Sequence, residues 1–264
     1  MKTSVKKKLS MATVSLFTLG TLAFAAPALA AYDSMPEGFY EMDPTFIPGV
    51  TLPLDIADHW AASEITDMVN IKAVTGYPDG NFYPDKPVTR AELATAMANA
   101  MYLPKGEEVE LPDVSSDNWA AQNIATAMPY LAAFPDGSFR PEAPITREEV
   151  AVAIVKAAGL DNKRIDPNVI DIVFKDPKTV SPDLKKLVAI AVDQKLLKGI
   201  VETTTTTLPG PDGVLGTVDD VTEDVDTMNI KAKDLVTRGE MCYLLDKARA
   251  KVGLGNQIAG GEEE

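Results

Sequence analysis

Three arginines share one setting. Arg90, Arg147 and Arg238 each follow a threonine (Thr89, Thr146, Thr237), and a glutamate (Glu92, Glu149, Glu240) stands three residues beyond that threonine. Thr-x-x-Glu is a capping box: the hydroxyl accepts from the backbone N–H three residues on, and the carboxylate reaches back to the threonine N–H. A helix should therefore begin at each arginine. A guanidinium there offers a planar fork of donors beside the helix's positive end, which suits a carboxylate or phosphate. An ion pair with a nearby carboxylate of the chain itself would use the same arginine, and both readings stay open. Trp60 and Trp119, 59 residues apart, would supply the apolar face with a polar edge that sugar recognition uses, although packing between units would use them equally well. Asp79-Gly80 and Asp136-Gly137 belong to Pro-Asp-Gly turns whose atoms could meet the same ligand.

Other residues offer less. Asp212, Asp219, Asp220 and Asp224 lie among glycines, as the oxygen ligands of a calcium ion would, but their spacing is not that of an EF-hand loop and a solvated acidic loop explains them too. Calcium is the only cofactor these residues bring into view. His59 is the single histidine, which leaves triads needing a histidine base one member at most. Cys242 is the single cysteine; among Met241, Leu244 and Leu245 it reads as a buried thiol, and a disulfide framework is excluded. No pair of acids recurs in a setting that would raise a pKa, so no catalytic residue is assigned.

The elements that must position these residues repeat. Asp58-His59-Trp60-Ala61-Ala62, the turn Gly76 to Pro84 and Val88-Thr89-Arg90-Ala91-Glu92 are matched by Asp117-Asn118-Trp119-Ala120-Ala121, the turn Phe134 to Pro141 and Ile145-Thr146-Arg147-Glu148-Glu149, with the threonines 57 residues apart. Apolar residues at helical spacing (Ile65, Met68, Val69; Leu93, Ala94, Met97, Met101) give each unit two helices. A third unit is degraded: Phe174-Lys175-Asp176, Ser181-Pro182, a helical stretch Leu184 to Leu197, then Val236-Thr237-Arg238-Gly239-Glu240. Pro182 stands where a tryptophan is expected. Thr237 lies 91 residues after Thr146, an excess of 34 over the 57-residue spacing, most of it the acidic segment 201–226 with its Thr203 to Thr207 run.

Composition bounds the function. The chain has 264 residues with 39 acidic and 25 basic side chains, a formal net charge of −14. Lys2, Lys6, Lys7 and Lys8, an apolar run from Leu9 to Ala26 and Ala28-Leu29-Ala30 read as an export signal. Cleavage after Ala30 would leave 264 − 30 = 234 residues with 21 basic and 39 acidic side chains, or −18. Such a balance excludes nucleic acid as a natural partner, and no later run reaches the roughly 18 to 20 apolar residues a membrane crossing takes. Prolines and glycines in short clusters, 19 and 17 of them, favour small units joined by turns.

The HWA and NWA openings, the YPDG and FPDG turns and the TRAE, TREE and TRGE boxes resemble the S-layer homology (SLH) domain family, over about Leu54 to Lys251. The resemblance implies a mainly α fold, a pseudo-threefold helical bundle of three copies with short extended segments. It divides the chain into a signal peptide (1–30), an extended N-terminal segment (31–53), repeats at 54–104, 111–160 and 172–251, the last carrying the insertion 201–226, and a disordered tail (252–264). It further implies an exported, non-catalytic anchor at the cell wall or S-layer. Secondary cell-wall polysaccharide, probably no other than its acidic or pyruvylated groups, would be gripped in grooves between copies by Arg90, Arg147, Arg238, Trp60, Trp119, Asp79, Gly80, Asp136 and Gly137. Peptidoglycan is an alternative ligand. So is an assembly role in which the insertion and the N-terminal segment contact other surface-layer subunits.

Overall fold

The computed structural model describes residues 52–254 apart from 214, 217 and 219. All of them lie in one compact unit, Thr45–Glu264. The expected signal peptide, the N-terminal segment up to residue 51, the tail from residue 255 and Asp219 lie outside the described residues.

In chain order the elements are α1 (Ala62–Asn70), α2 (Arg90–Ala100), α3 (Ala121–Ala127), α4 (Arg147–Ala157), α5 (Val169–Val173), a 3-10 turn (Pro177–Thr179), α6 (Lys185–Asp193), β1 (Ile200–Leu208), β2 (Val221–Asn229) and α7 (Arg238–Lys251). This corrects the expected mainly α, three-copy bundle. About 34% of the described residues are helical and 13% extended, and a helical bundle is not what they form. The reason is local. Each stretch between paired helices is a proline- and glycine-bearing loop that cannot hold helical dihedrals. The insertion, rich in threonine and valine, pairs as two strands instead.

Three loops are closed in one way. Asp55 accepts the backbone N–H groups of Phe82 and Tyr83, each at 2.7 Å. Asp113 accepts those of Phe139 and Arg140 at 2.9 and 2.6 Å, and Asp176 those of Ile230 and Lys231 at 2.6 and 2.8 Å. In each pair the second residue is left-handed (Tyr83 φ 55°, Arg140 φ 58°, Lys231 φ 49°), a conformation a side chain resists unless its amide is held. The first residue of each pair, Phe82, Phe139 or Ile230, is fully buried. Burying a side chain of this size contributes roughly 2 kcal/mol.

These loops bring three short stretches together. The Val88 N–H donates to the Val236 carbonyl at 2.9 Å, Val236 to Ile145 at 3.0 Å and Ile145 to Val88 at 3.3 Å, a closed ring of backbone bonds around three fully buried side chains. Helix beginnings continue the exchange: Arg90 and Ala91 donate to the Ala143 and Pro141 carbonyls, Arg147 and Glu148 to Asp234 and Ala232, Arg238 and Gly239 to Lys86 and Pro84, all at 2.8–3.0 Å. The orphan amides of three helices are thus satisfied by carbonyls of another segment.

The linker after α2 is fixed by Gly106, whose N–H donates to the Thr126 hydroxyl at 3.1 Å. A β-carbon there would sit 2.4 Å from the Ala125 carbonyl oxygen. Gly106→Ala should therefore cost about 1–3 kcal/mol in forced displacement, lowering the thermal midpoint by several degrees. An unchanged melt would show that the linker does not lie against α3.

Candidate functional site

All three guanidiniums are buried, at 2%, 3% and 5% exposure for Arg90, Arg147 and Arg238, and each reaches across to another segment. Arg90 Nε donates to the Phe139 carbonyl at 2.7 Å, Nη2 to the Ala132 carbonyl at 2.8 Å, and Nη1 pairs with Glu149 at 3.3 Å. Arg147 donates to the Ile230 and Lys198 carbonyls at 3.0 and 2.8 Å and pairs with Glu240. Arg238 donates to the Phe82 and Thr75 carbonyls at 2.8 and 2.9 Å and pairs with Glu92 at 2.7 Å. Of the two readings open from the sequence, the geometry shows the ion pair, made to the capping glutamate of the segment reached. The capping residues hold as expected in α2, where the Glu92 N–H donates to the Thr89 hydroxyl at 3.2 Å and the Thr89 N–H to Glu92 at 2.8 Å. In α4 the Thr146 N–H donates to Glu149 at 2.9 Å. In α7 Thr237 accepts from the Glu240 N–H at 3.2 Å, while the Glu240 carboxylate is turned to Arg147.

Burial governs the electrostatics. It pulls the Arg90 guanidinium below its ordinary value, with Glu149 opposing, and does the same to Arg147, with Asp234 and Asp176 opposing. Burial pushes the Glu92 carboxyl up, yet the Thr89 N–H, the Tyr77 hydroxyl and Arg238 together outweigh it and leave the group below its ordinary 4.5. Aromatic faces help to hold two of the cations: Arg238 lies 4.3 Å from the Phe82 ring centre and Arg90 4.6 Å from that of Phe134.

Above these pairs lie two corresponding clefts. A cavity of about 270 Å³ is lined by Thr75, Gly76, Tyr77 and Glu92 of the first segment, Arg238 of the third and Trp119 of the second. Another, of about 480 Å³, is lined by Lys198, Gly199, Ile200 and Glu240 of the third, Arg147 of the second and Trp60 of the first. Both tryptophans are 62% exposed. Each cleft also holds a buried hydroxyl without a hydrogen-bond partner, Thr95 in one and Tyr243 in the other, six residues beyond the capping threonine in both. In the second segment that position is Val152. The N-caps Ala61, Ala120 and Leu184 place Trp60, Trp119 and Asp183 in register, so the residue standing for the missing tryptophan is Asp183, not Pro182.

Sequence reasoning missed the hydroxyls, together with Lys72 at the mouth of the first cleft and Lys198 in the other, where its Nζ lies 5.1 Å from the Tyr243 ring centre. A positional comparison six residues past each capping threonine would have found the hydroxyls; nothing in the sequence marked the lysines.

The turn residues lie elsewhere. Asp79 accepts from the Asn81 N–H at 3.0 Å and from the Tyr83 hydroxyl, which holds its carboxyl below the usual range. Asp136 accepts from the Ser138 hydroxyl and N–H and from Arg140 at 2.6, 3.0 and 2.8 Å, with the same effect. Gly80 and Gly137 supply the left-handed turn positions, at φ 88° and 82°. None of these four lines either cleft. The proposed calcium ligands are dispersed: Asp224 on β2 accepts from the Thr205 hydroxyl and Asp220 from the Gly216 N–H, and among the described residues no three carboxylate, histidine or cysteine side chains gather for a metal. His59 organises the start of α1, its Nδ1 accepting from the Ala61 N–H at 3.1 Å. Cys242 is buried, and burial pushes its thiol up to about 12. No helix among the described residues is long and apolar enough to cross a membrane.

Two stretches carrying these features, residues 54–94 and 112–151, match the S-layer homology domain family. With the surface-protein relatives, they mark an exported protein of the cell wall or surface layer. Over 118 residues the chain is 36% identical to Cell surface glycoprotein 1 of Acetivibrio thermocellus, covering 39% of this chain and 5% of that protein. It is 39% identical over 110 residues to the Cellulosome-anchoring protein of the same organism (38% and 24%), and 31% identical over 185 residues to the Amylopullulanase of Thermoanaerobacterium thermosulfurigenes (68% and 9%). The chain thus spans a quarter or less of the length of these relatives.

Two outcomes follow from the buried pairs. Arg238→Met leaves Glu92 and two carbonyls without their partner and should cost about 3–5 kcal/mol in denaturant unfolding, against about 1 kcal/mol for Thr89→Ala. Equal costs would mean that the arginine is not a structural brace. Because the folded-state pKa of Glu92 is depressed, its contribution is present above the unfolded value and lost as pH falls through the folded one. Glu92→Gln should therefore be less stable than the parent at pH 7 but lose less between about pH 5 and pH 3. Parallel losses in parent and variant would contradict this assignment.

Proposed function

We propose that the chain is a non-catalytic anchor which holds acidic cell-wall polysaccharide in the two clefts, and that residues 172–251 are a degenerate third SLH copy. What supports this is the recurrence of one arrangement in both clefts: an exposed tryptophan from one segment faces an unpartnered buried hydroxyl of another. A saccharide offers the apolar ring face and the hydroxyl groups to satisfy both. Lys72 and Lys198 are the cations placed to meet its carboxylates, since the guanidiniums are engaged within the protein. The arginines act on the ligand indirectly, by fixing the cleft walls. The relatives' names agree with attachment to a surface, and the enzyme among them matches over a small part of its length.

Co-sedimentation with purified wall polysaccharide tests this. The double variant Trp60→Ala/Trp119→Ala should bind at least about tenfold more weakly, with its thermal midpoint little changed. Thr95→Val and Tyr243→Phe should weaken binding while maintaining or raising stability, because each removes an unsatisfied group. Polysaccharide stripped of acidic substituents by mild acid should bind less. Undiminished binding by the tryptophan double variant would end this reading.

A further inference from the structure

The insertion is a bare two-stranded ladder. β1 and β2 pair antiparallel along their full length, from Ile200 opposite Asn229 to Leu208 opposite Val221, and residues 201–208 are all exposed. Such a hairpin with both faces in water is marginal by itself, and each outer edge offers a row of backbone donors and acceptors. The edges differ in how they are guarded. β2 carries Glu223, Asp224 and Asp226, whereas β1 has no proline or lysine and one charge, Glu202, which already pairs with Lys231.

From this asymmetry we infer that the free edge of β1 pairs with β1 of a second copy of the chain, antiparallel about a twofold axis at Thr204. Strand self-pairing of this kind is isologous and closes as a dimer. The register follows from the side chains. Centred on Thr204, Ile200 faces Leu208 of the other copy, Val201 faces Thr207, Glu202 faces Thr206 and Thr203 faces Thr205, so no two charges meet and the apolar ends cover each other. The same operation on β2, centred on Val225, would set Asp224 against Asp226 twice. Like charges directly opposed disfavour that edge.

The test uses the central residue, which alone faces itself. In multi-angle light scattering of the full chain up to about 200 µM, the parent mass should double with concentration, while Thr204→Lys and Thr204→Glu each stay monomeric. Mixing the two variants should restore the doubled mass by placing opposite charges across the axis. A parent that remains monomeric, single variants that dimerise as the parent does, a mixture that fails to recover, or masses growing beyond two copies would each overturn the proposal. Thr204→Lys should keep the parent's polysaccharide binding, so failure here is distinguishable from failure of the clefts.

Discussion

The fold rests on a guanidinium that leaves its own segment. Arg90 reaches the second segment, Arg147 the third and Arg238 the first, and each ends on two backbone carbonyls and a capping glutamate. The order closes on itself, so every segment both gives and receives one arginine. Buried ion pairs are weak sources of net stability, because desolvation offsets the attraction. Their effect here is on register. The planar fork fits only when the donor helix and the receiving loop are correctly placed, and an arginine left without its carbonyls would be a buried, uncompensated charge. The ring through Val88, Ile145 and Val236 lies beside these contacts and depends on the same placement.

That arrangement decides what remains for a ligand. A helix beginning with an arginine beside it is a natural anion site, but here the amides of Arg90, Ala91 and their counterparts already donate to carbonyls, and the guanidiniums are saturated. Recognition therefore moves outward to side chains that the cycle braces without occupying: Trp60, Trp119, Thr95 and Tyr243. Because each cleft draws on three segments, the loss of tryptophan from the third segment does not empty the third segment's own cleft, whose tryptophan comes from the first. Asp183 instead faces the second segment's side, where Val152 also lacks a hydroxyl. Degeneracy in one segment is felt in another.

Local rules were legible and partner choice was not. The capping boxes at Thr89 and Thr146, the left-handed glycines at 80 and 137, and the burial of Cys242 follow from interactions within a few residues of one another. The arginine contacts span 42 to 163 residues of sequence, and no spacing rule says whether a guanidinium at a helix start turns to solvent or to a neighbour. The paired-amide role of Asp55, Asp113 and Asp176 was equally hidden, since an aspartate 26 to 55 residues from the amides it holds looks like any surface acid. The expected fold class failed for a related reason: helical periodicity was visible in the stretches that form helices, but it says nothing of the loops that separate them. The threonine run was read as a strand or a mobile stem, and strand pairing resolved it.

The insertion shows why an acidic chain can carry so large an addition without losing the core. In the first two segments the loop narrows at one backbone bond, from the Tyr77 N–H to the Asn81 carbonyl at 2.7 Å and from Phe134 to Ser138 at 2.8 Å. In the third, Ile200 opposite Asn229 holds that place, and the hairpin is the same turn grown outward. Asp176 still clamps the residues that follow, so Ile230 enters the core as Phe82 and Phe139 do. Lengthening a loop whose ends are already fixed adds closure entropy only slowly, and a ladder that satisfies its own inner edge adds little more. The arrangement separates two tasks physically. The clefts depend on the arginine cycle, whereas β1 depends on a patch of low charge in a chain whose net −14 otherwise keeps copies apart. Association, if it is to occur anywhere on such a surface, is least opposed where the threonines leave the backbone unguarded.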